Sequence, residues 1–422
     1  MYRVWNFVSS YSLLLVLGAL LALVWANLAP GSYHDFVEFP IWDHAPVGHP
    51  HVDAEGHVHR TLTLHYLVND ILMALFFAIA GKEVWEAVIL NDGSLRGAKA
   101  ATPLVATAGG MIGPIAIYLG LAALLGSTTF EAVSRGWAIP TATDIAFSYL
   151  VGRIVFGAGH PAVRFLLLLA IADDAAGLVI LALFYPTGEL APAWLLLSFG
   201  ASLAAFLGFN WLPRRLDRGD QLRRHSTAVR KQLGAWPYML AGVLSWYGFA
   251  RSGLHPALGL LPVIPAIPHA DRGFGIFSAA EAHLHDLLNE MEHALKLPVE
   301  GVLFLFGLMN AGVEFSAIAA PTWLVLAGLV VGKPLGIFAF GWLAAHPMRL
   351  GLPQGMRTAD LFVLGCVAAI GFTVSLFVAS VAFPPGEVQD AAKMGALMSF
   401  AAAGIAIVAG KLCRVEKRAL PD

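Results

Sequence analysis

Two adjacent carboxylates, Asp173 and Asp174, stand in the middle of the apolar run Phe165 to Tyr185, FLLLLAIADDAAGLVILALFY. That run is about twenty residues, long enough to cross a bilayer. An ionised carboxylate near the membrane centre costs at least ~2.5 kcal/mol, so two in succession require a partner, a proton, a cation or a water-filled cavity. Such a pair reads as a site for ion transport. Successive helical residues point about 100° apart, so the two carboxylates face different neighbours. One can hold a fixed charge while the other binds cargo. Lys333 poses the complementary problem, because in PTWLVLAGLVVGKPLGIFAFGWLAA it lies about twelve residues into an apolar run, near the midplane. There it must pair with a carboxylate or lose its proton, and Asp173, Asp174 and Asp144 are the acids at hand.

The segments that must position these groups are themselves interrupted. WAIPTATDIAFSYLVGRIVF gathers Pro140, Thr141, Thr143 and Asp144 inside an apolar run. Proline breaks the backbone ladder, and the freed carbonyls and threonine hydroxyls can coordinate a small cation or be satisfied by neighbours. A kink accounts for Pro140 but not for Asp144. FVLGCVAAIGFTVSLFVAS carries the interruption Gly371, Phe372, Thr373 and Ser375 at comparable depth. Each interrupted segment is the middle of three consecutive apolar runs, the pattern expected of an inverted-repeat transporter. HYLVNDILMALFFAIAGKEVWEAVI places Asp70 near one end and Lys82, Glu83 and Glu86 near the other, with Glu83 and Glu86 on one helical face. The three at that end have the spacing of interface anchors or of a regulatory cluster.

A chain of 422 residues that is 58% hydrophobic and only 13% charged, with a mean hydropathy of +0.71, is an all-α polytopic membrane protein rather than a soluble domain. Twelve apolar runs are expected, roughly at 11–27, 65–90, 100–125, 133–156, 161–185, 190–210, 234–250, 254–268, 293–315, 320–345, 359–383 and 389–412. With both termini cytoplasmic, Arg96, Lys99, Arg153, the cluster from Arg214 to Lys231, Arg349, Arg357 and the C-terminal cations fall inside. Arg60, Arg135, Arg251 and Lys393 fall outside, and that bias sets the orientation. The lysines and arginines form no patch suited to nucleic acid, whereas the basic loop 213–231 suits lipid headgroups. Cys366 and Cys413 suggest neither a disulfide framework nor a metal cluster. The external loop 30–63 carries His34, His44, His49, His51, His57 and His59, in a spacing that matches no defined metal-ligand set, so a solvated loop is the first reading and metal capture the second. Its HVDAEGHVHRTLTL portion alternates about Gly56 and predicts a small β-hairpin. The stretch 268–292, with His283 and His285, reads as a second cytoplasmic connection, and His293 follows it.

Taken together, AIPTATDIAF, IADDAAGLVILALFY, GKPLGIF, IGFTVSLFVASVAF, NDILMALFF and MNAGV resemble the NhaA family of bacterial Na⁺/H⁺ antiporters, in family order from the first span to the last. The resemblance implies a single transporter domain over 1–422. It has twelve transmembrane helices, inverted repeats and crossed, discontinuous spans four and eleven. It further implies an inner-membrane homodimer contacting through the first-loop hairpin, with Na⁺, Li⁺ and H⁺ as cargo and no cofactor. By the same resemblance, Asp174 binds the cation and carries a proton, and Asp173 is its partner, paired with Lys333 in the cation-free state. Thr143 contributes near the cation, Asp144 and Lys333 offset facing helix-dipole ends, Asp70 lines the route to the site, and Glu83 serves the pH response. The chain departs from the family where GKEVWEA replaces GLEVKRE, where AAG follows the aspartates in place of LGA, and in its longer, histidine-rich first loop.

Competition between a cation and a proton for one buried carboxylate makes exchange its natural consequence. If Lys333 also titrates when its ion pair opens, transport is electrogenic. Two other readings fit a pair of intramembrane carboxylates: a carrier of the same fold for K⁺ or an organic ion, and an intramembrane aspartyl protease. The protease needs both side chains converging on one water, which adjacent positions on one helix do not readily provide, and it leaves Lys333 without a task.

Overall fold

The computed structural model describes residues 2–52, 58–89, 93–95, 98–218, 224–269 and 286–419. The turn about Gly56 and residues His57, Arg96, Arg223, His283 and His285 lie outside the described residues. Among those described, six helices are long and apolar enough to cross a membrane: Leu64–Val88, Ala100–Leu124, Pro161–Phe184, Pro192–Leu216, Ala320–Ala345 and Glu387–Leu412. Thr358–Ala368 and Phe372–Ala382 meet the same length and hydropathy test only when taken together, and their axes differ by 54°. The chain is therefore a helical, polytopic protein. It divides into two compact units, Met1–Tyr33 with Ser94–Ile180 and Gly307–Asp422 in the first, and His34–Gly93 with Leu181–Phe306 in the second.

In the first unit, Pro140 and its neighbours do what a proline in an apolar run dictates. Ser134–Thr141 winds as a 3₁₀ helix. The chain is then extended through Ala142 (φ −77°, ψ 153°), and an α-helix starts at Ile145 with Asp144 as its N-cap. The other interruption falls between Ala368 and Phe372. The Lys333 helix, Lys333–Ala345, follows a widened π-helical stretch over Gly328–Gly332. It lies against Ala98–Leu124 through two pairs of glycines spaced four apart. A Cβ on Gly113 would sit 2.3 Å from the Gly332 carbonyl oxygen, and one on Gly336 would sit 2.0 Å from that of Gly109. Small residues at this spacing let two membrane helices approach backbone to backbone, and the approach here sets the depth and direction of Lys333.

The second unit carries a three-stranded antiparallel sheet in the order β1-β3-β2, formed by β1 (Pro40–Trp42), β2 (His49–Val52) and β3 (Val58–Thr63). The β2–β3 pair, in register His49↔Thr61, has the strands of the expected hairpin, and β1 adds a strand that alternation did not announce. Rings of His44 and His59 stand 4.8 Å apart, and those of His49 and His65 6.4 Å apart. Among the described residues no group of three His, Cys, Asp or Glu could hold a metal.

Three expectations are corrected. The stretch 254–268 is two 3₁₀ turns, Pro256–Leu258 and Leu261–Ala266, because Pro256, Pro262 and Pro265 supply no N–H to an α-helical ladder. Residues 287–292, read as part of a connection, begin the helix Leu287–Asn310. Lys393, assigned to an external loop, is buried in the helix Glu387–Met398. That helix starts directly after Gly386, whose φ of +144° turns the chain.

The glycine contact yields a controlled test. Gly336→Ala drives a methyl group onto the Gly109 carbonyl, and overpacking of this kind costs about 1–3 kcal/mol. Gly120→Ala in the facing helix meets nothing within 4 Å and gains helix propensity. Thermal unfolding in detergent should show a clear drop for the first and none for the second.

Candidate functional site

The first unit brings five of the seven sequence-identified residues together: Thr143, Asp144, Asp173, Asp174 and Lys333. The Lys333 ammonium lies 2.9 Å from Asp173 Oδ2, and both side chains are wholly excluded from solvent. Lys333 also donates to the Thr141 carbonyl, the last of the 3₁₀ segment, where a cation meets the negative end of the peptide dipoles. The Thr143 hydroxyl stands 2.7 Å from Asp173 Oδ2 and 3.1 Å from the Ala368 carbonyl oxygen. Thr143 thereby ties one interrupted segment to the other.

Asp144 occupies the opposite kind of position. Its carboxylate accepts from the Phe147 backbone N–H (3.2 Å), which caps the helix Ile145–Phe156. It also accepts from the Thr373 backbone N–H (3.3 Å) and from the Thr373 hydroxyl. One anion thus serves the positive ends of two helices. The broken ends satisfy one another elsewhere: Asp144 N–H donates to the Ile370 carbonyl (2.7 Å), Ser148 to Val367 (3.1 Å) and Ser375 to Ile139 (2.6 Å). Unpaired carbonyls and amides in a membrane interior cost several kcal/mol each. Each interruption is therefore tolerable because the other is there.

Two oxygens remain outside this network. Asp173 Oδ1 and Asp174 Oδ1 are buried and have no hydrogen-bond partner. Buried carboxylate oxygens without donors are rare because their desolvation is uncompensated. Oxygens of this kind are chemically suited to accept a small hard cation or a proton.

The remaining two residues lie in the second unit. Asp70 is buried in the π-helical turn Leu67–Leu72, and the Trp246 indole donates to its backbone carbonyl (2.8 Å). His255 accepts at Nδ1 from the Ala257 N–H (3.2 Å), so its Nε2 faces Asp70 Oδ1 at 3.9 Å. Glu83 belongs to a buried cluster around Lys82, whose ammonium lies 3.5 Å from Glu83, 3.0 Å from Glu86 and 2.8 Å from Glu292. All four are at most 7% exposed, so the interface-anchor reading of the first three does not hold. Asp70 and Glu83 are thirteen positions apart on one helical run, roughly 20 Å, and do not meet.

Thr373 was visible in the sequence as part of an interruption, but not as a ligand of Asp144. Glu292 and His255 were missed. Glu292 lay in a stretch assigned to a loop, although its spacing from Leu288 and Leu295 continues the helical face that follows. Two of the described π-helical turns sit at Asp70 and directly before Lys333, and π turns frequently mark functional positions.

A family model described as Na⁺/H⁺ antiporter 1 matches residues 3–410. The chain belongs to that family. It is 75% identical over 418 residues to a Na⁺/H⁺ antiporter NhaA of Jannaschia sp. (strain CCS1), covering 99% of this chain and all of that protein. It is 46% identical to a Na⁺/H⁺ antiporter NhaA of Desulfitobacterium hafniense (strain DSM 10664 / DCB-2), over 98% of this chain and 96% of that one. The solved sodium proton antiporter MjNhaP1 of Methanocaldococcus jannaschii aligns at 15% identity and a TM-score of 0.41 over 97% of this chain and 98% of that one. That likeness is too weak to bear on the assignment. Membership in a family of transporters removes the intramembrane protease reading.

In this family member the Lys333–Asp173 pair holds two opposite charges away from solvent, each of them costly to leave alone. Lys333→Ala leaves Asp173 buried without its cation, and losing one partner of such a pair costs about 3–5 kcal/mol. Chemical unfolding should register that loss. Lys333→Met combined with Asp173→Asn should recover most of it, since the double variant leaves no charge uncompensated at that pair.

Proposed function

We propose that this protein is a proton-driven antiporter that exports Na⁺ or Li⁺ in exchange for H⁺ across the bacterial inner membrane. The observation that carries the reading is the pair of unpartnered buried oxygens, Asp173 Oδ1 and Asp174 Oδ1, the first on the carboxylate whose other oxygen is paired with Lys333. Family membership over residues 3–410 points the same way. Asp174 binds the cation and, in the cation's absence, the proton, since one carboxylate oxygen cannot hold both. Asp173 completes the site with Thr143. Drawing Asp173 toward a cation weakens its pair with Lys333, and a lysine released in an apolar interior gives up its proton. More protons than cations then cross in each cycle, so transport is electrogenic.

The two interrupted segments are the middle spans of the two halves of an inverted repeat and cross near the membrane midplane, within a twelve-span arrangement of one transporter domain. Asp144 and Lys333 offset the helix ends that meet there. The site opens to each side in turn as one helix bundle moves against another. Asp70 lines the route to the site, and the Glu83 cluster adjusts activity to cytoplasmic pH, which gives the protein its part in pH homeostasis. The chain works as a homodimer joined through the external sheet, surrounded by lipid, with both termini in the cytoplasm. Na⁺, Li⁺ and H⁺ are cargo, and no cofactor takes part.

The test is cation-induced proton movement in proteoliposomes carrying a pH dye, with Na⁺, Li⁺ or K⁺ added from pH 6 to 9. Na⁺ and Li⁺ should release protons, K⁺ should not, and Asp174→Asn should abolish the response. A response to K⁺ alone, or to none of the three from folded protein, overturns the reading.

A further inference from the structure

The C-terminal segment follows the last helix, Ala401–Leu412, and does not hang free of the first unit. Arg414 adopts a left-handed conformation (φ +50°) that turns the chain back. The Arg357 guanidinium holds the turn, with Nη2 2.8 Å from the Arg414 carbonyl oxygen and 3.4 Å from that of Cys413. Four residues later the backbone of Arg418 is bracketed. Its N–H donates to the Phe156 carbonyl (3.0 Å), and its carbonyl accepts from the Gly159 N–H (2.9 Å). Gly157, between those anchors, has φ +82°, and a Cβ there would lie 2.5 Å from the Arg418 carbonyl oxygen. Only glycine fits, on both conformational and steric grounds. The side chain is seated as well, because a Cβ on Gly355 (φ +85°) would lie 2.2 Å from the Arg418 guanidinium.

The three stretches that receive this segment continue directly into the three helices carrying the ion site. Phe156 ends the helix capped by Asp144. His160 accepts at Nδ1 from the Ala162 N–H (3.1 Å), at the start of the helix carrying Asp173 and Asp174. Burial holds the His160 ring below its ordinary pKa. Its Nε2 faces Asp360 Oδ2 at 3.9 Å, and Asp360 accepts from the Arg357 N–H (2.7 Å) at the start of the helix Thr358–Ala368. That last helix delivers the Ala368 carbonyl to Thr143. At 1.5 Å per residue, these helices extend about 18, 20 and 15 Å from the segment to Asp144, Asp173 and Ala368.

We propose that residues 415–419 are a strap that sets the spacing of these three helices, and that Arg418 is a positioning residue for the cation site at their far ends. Helices are stiff over such lengths, so a change in their spacing at the strap moves Thr143, Asp173 and the Ala368 carbonyl relative to one another. Affinity for a small cation depends on that relative placement. The inference rests on the antiport reading.

The strap is tested by variants that release it without touching the ion site. Gly157→Ala blocks the seat, and Arg418→Pro removes the N–H donor. By analogy with ordinary coupling between sites, each should raise the apparent KM for Na⁺ about fivefold or more while leaving the maximal rate little changed. Arg418→Lys, which keeps the backbone bracket and the charge, should stay near the parent. Linkage is reciprocal, so Na⁺ added to the unaltered protein should slow hydrogen exchange at the Gly159 and Arg418 amides. A purely structural tail would lower thermal stability in the variants and leave KM and those amides indifferent to Na⁺, which would overturn the proposal. If the variants fail to fold, exchange in the parent protein decides. A parent protein that moves no protons in response to Na⁺ sinks the antiport reading and this inference together. Transport in the parent with an unchanged KM in both variants sinks the strap alone.

Discussion

A charged ammonium and a charged carboxylate face each other at 2.9 Å with no access to solvent, and the first unit is arranged around that fact. Neither group is tolerable alone in an apolar interior, where desolvation of each ion costs several kcal/mol. The pair is tolerable because every nearby element serves it. Glycines at 109, 113, 332 and 336 bring two backbones close enough to carry Lys333 inward. The end of a 3₁₀ segment offers Lys333 a second acceptor, and Thr143 offers Asp173 a donor. A buried ion pair adds little stability over apolar side chains of similar volume.

The two interruptions are the second half of that arrangement. A proline and a glycine-containing stretch each leave backbone groups without helical partners, and in a membrane such groups cannot be left to water. They are paired across the two segments, amide to carbonyl and hydroxyl to carbonyl. The helix ends exposed in this way are neutralised by opposite charges, Lys333 at a carbonyl end and Asp144 at two amide ends. The result is a polar point inside an apolar body, with two carboxylate oxygens left over. The second unit repeats the theme on a smaller scale, with Lys82 serving three glutamates from two helices.

Much of this was visible in the amino-acid order, and what was visible shares a cause. Asp173, Asp174, Asp144 and Lys333 stood out because charge in an apolar run is improbable without a purpose, and the cost can be estimated without a structure. Pro140 and Gly371 announced the interruptions because their backbone chemistry is local. The failures are equally consistent. The 254–268 run looked like a helix by hydropathy, and three prolines overruled it. Lys82, Glu83 and Glu86 had the spacing of interface anchors but are buried, because Glu292 from a distant helix completes a cluster no local reading could contain.

The amino-acid order alone was enough to establish a polytopic helical membrane protein, the segments that break, and the ionisable residues that lie inside apolar runs. Hydropathy, helix-breaking and the cost of an isolated charge are properties of short stretches of chain. Tertiary structure decided the rest: that Lys333 takes Asp173 and leaves Asp174 Oδ1 unpartnered, that Thr373 completes Asp144, and that Arg418 docks beside Gly157. Each of these depends on which backbone ends meet after residues tens to hundreds of positions apart have been brought together, and no periodicity within a single segment encodes that meeting.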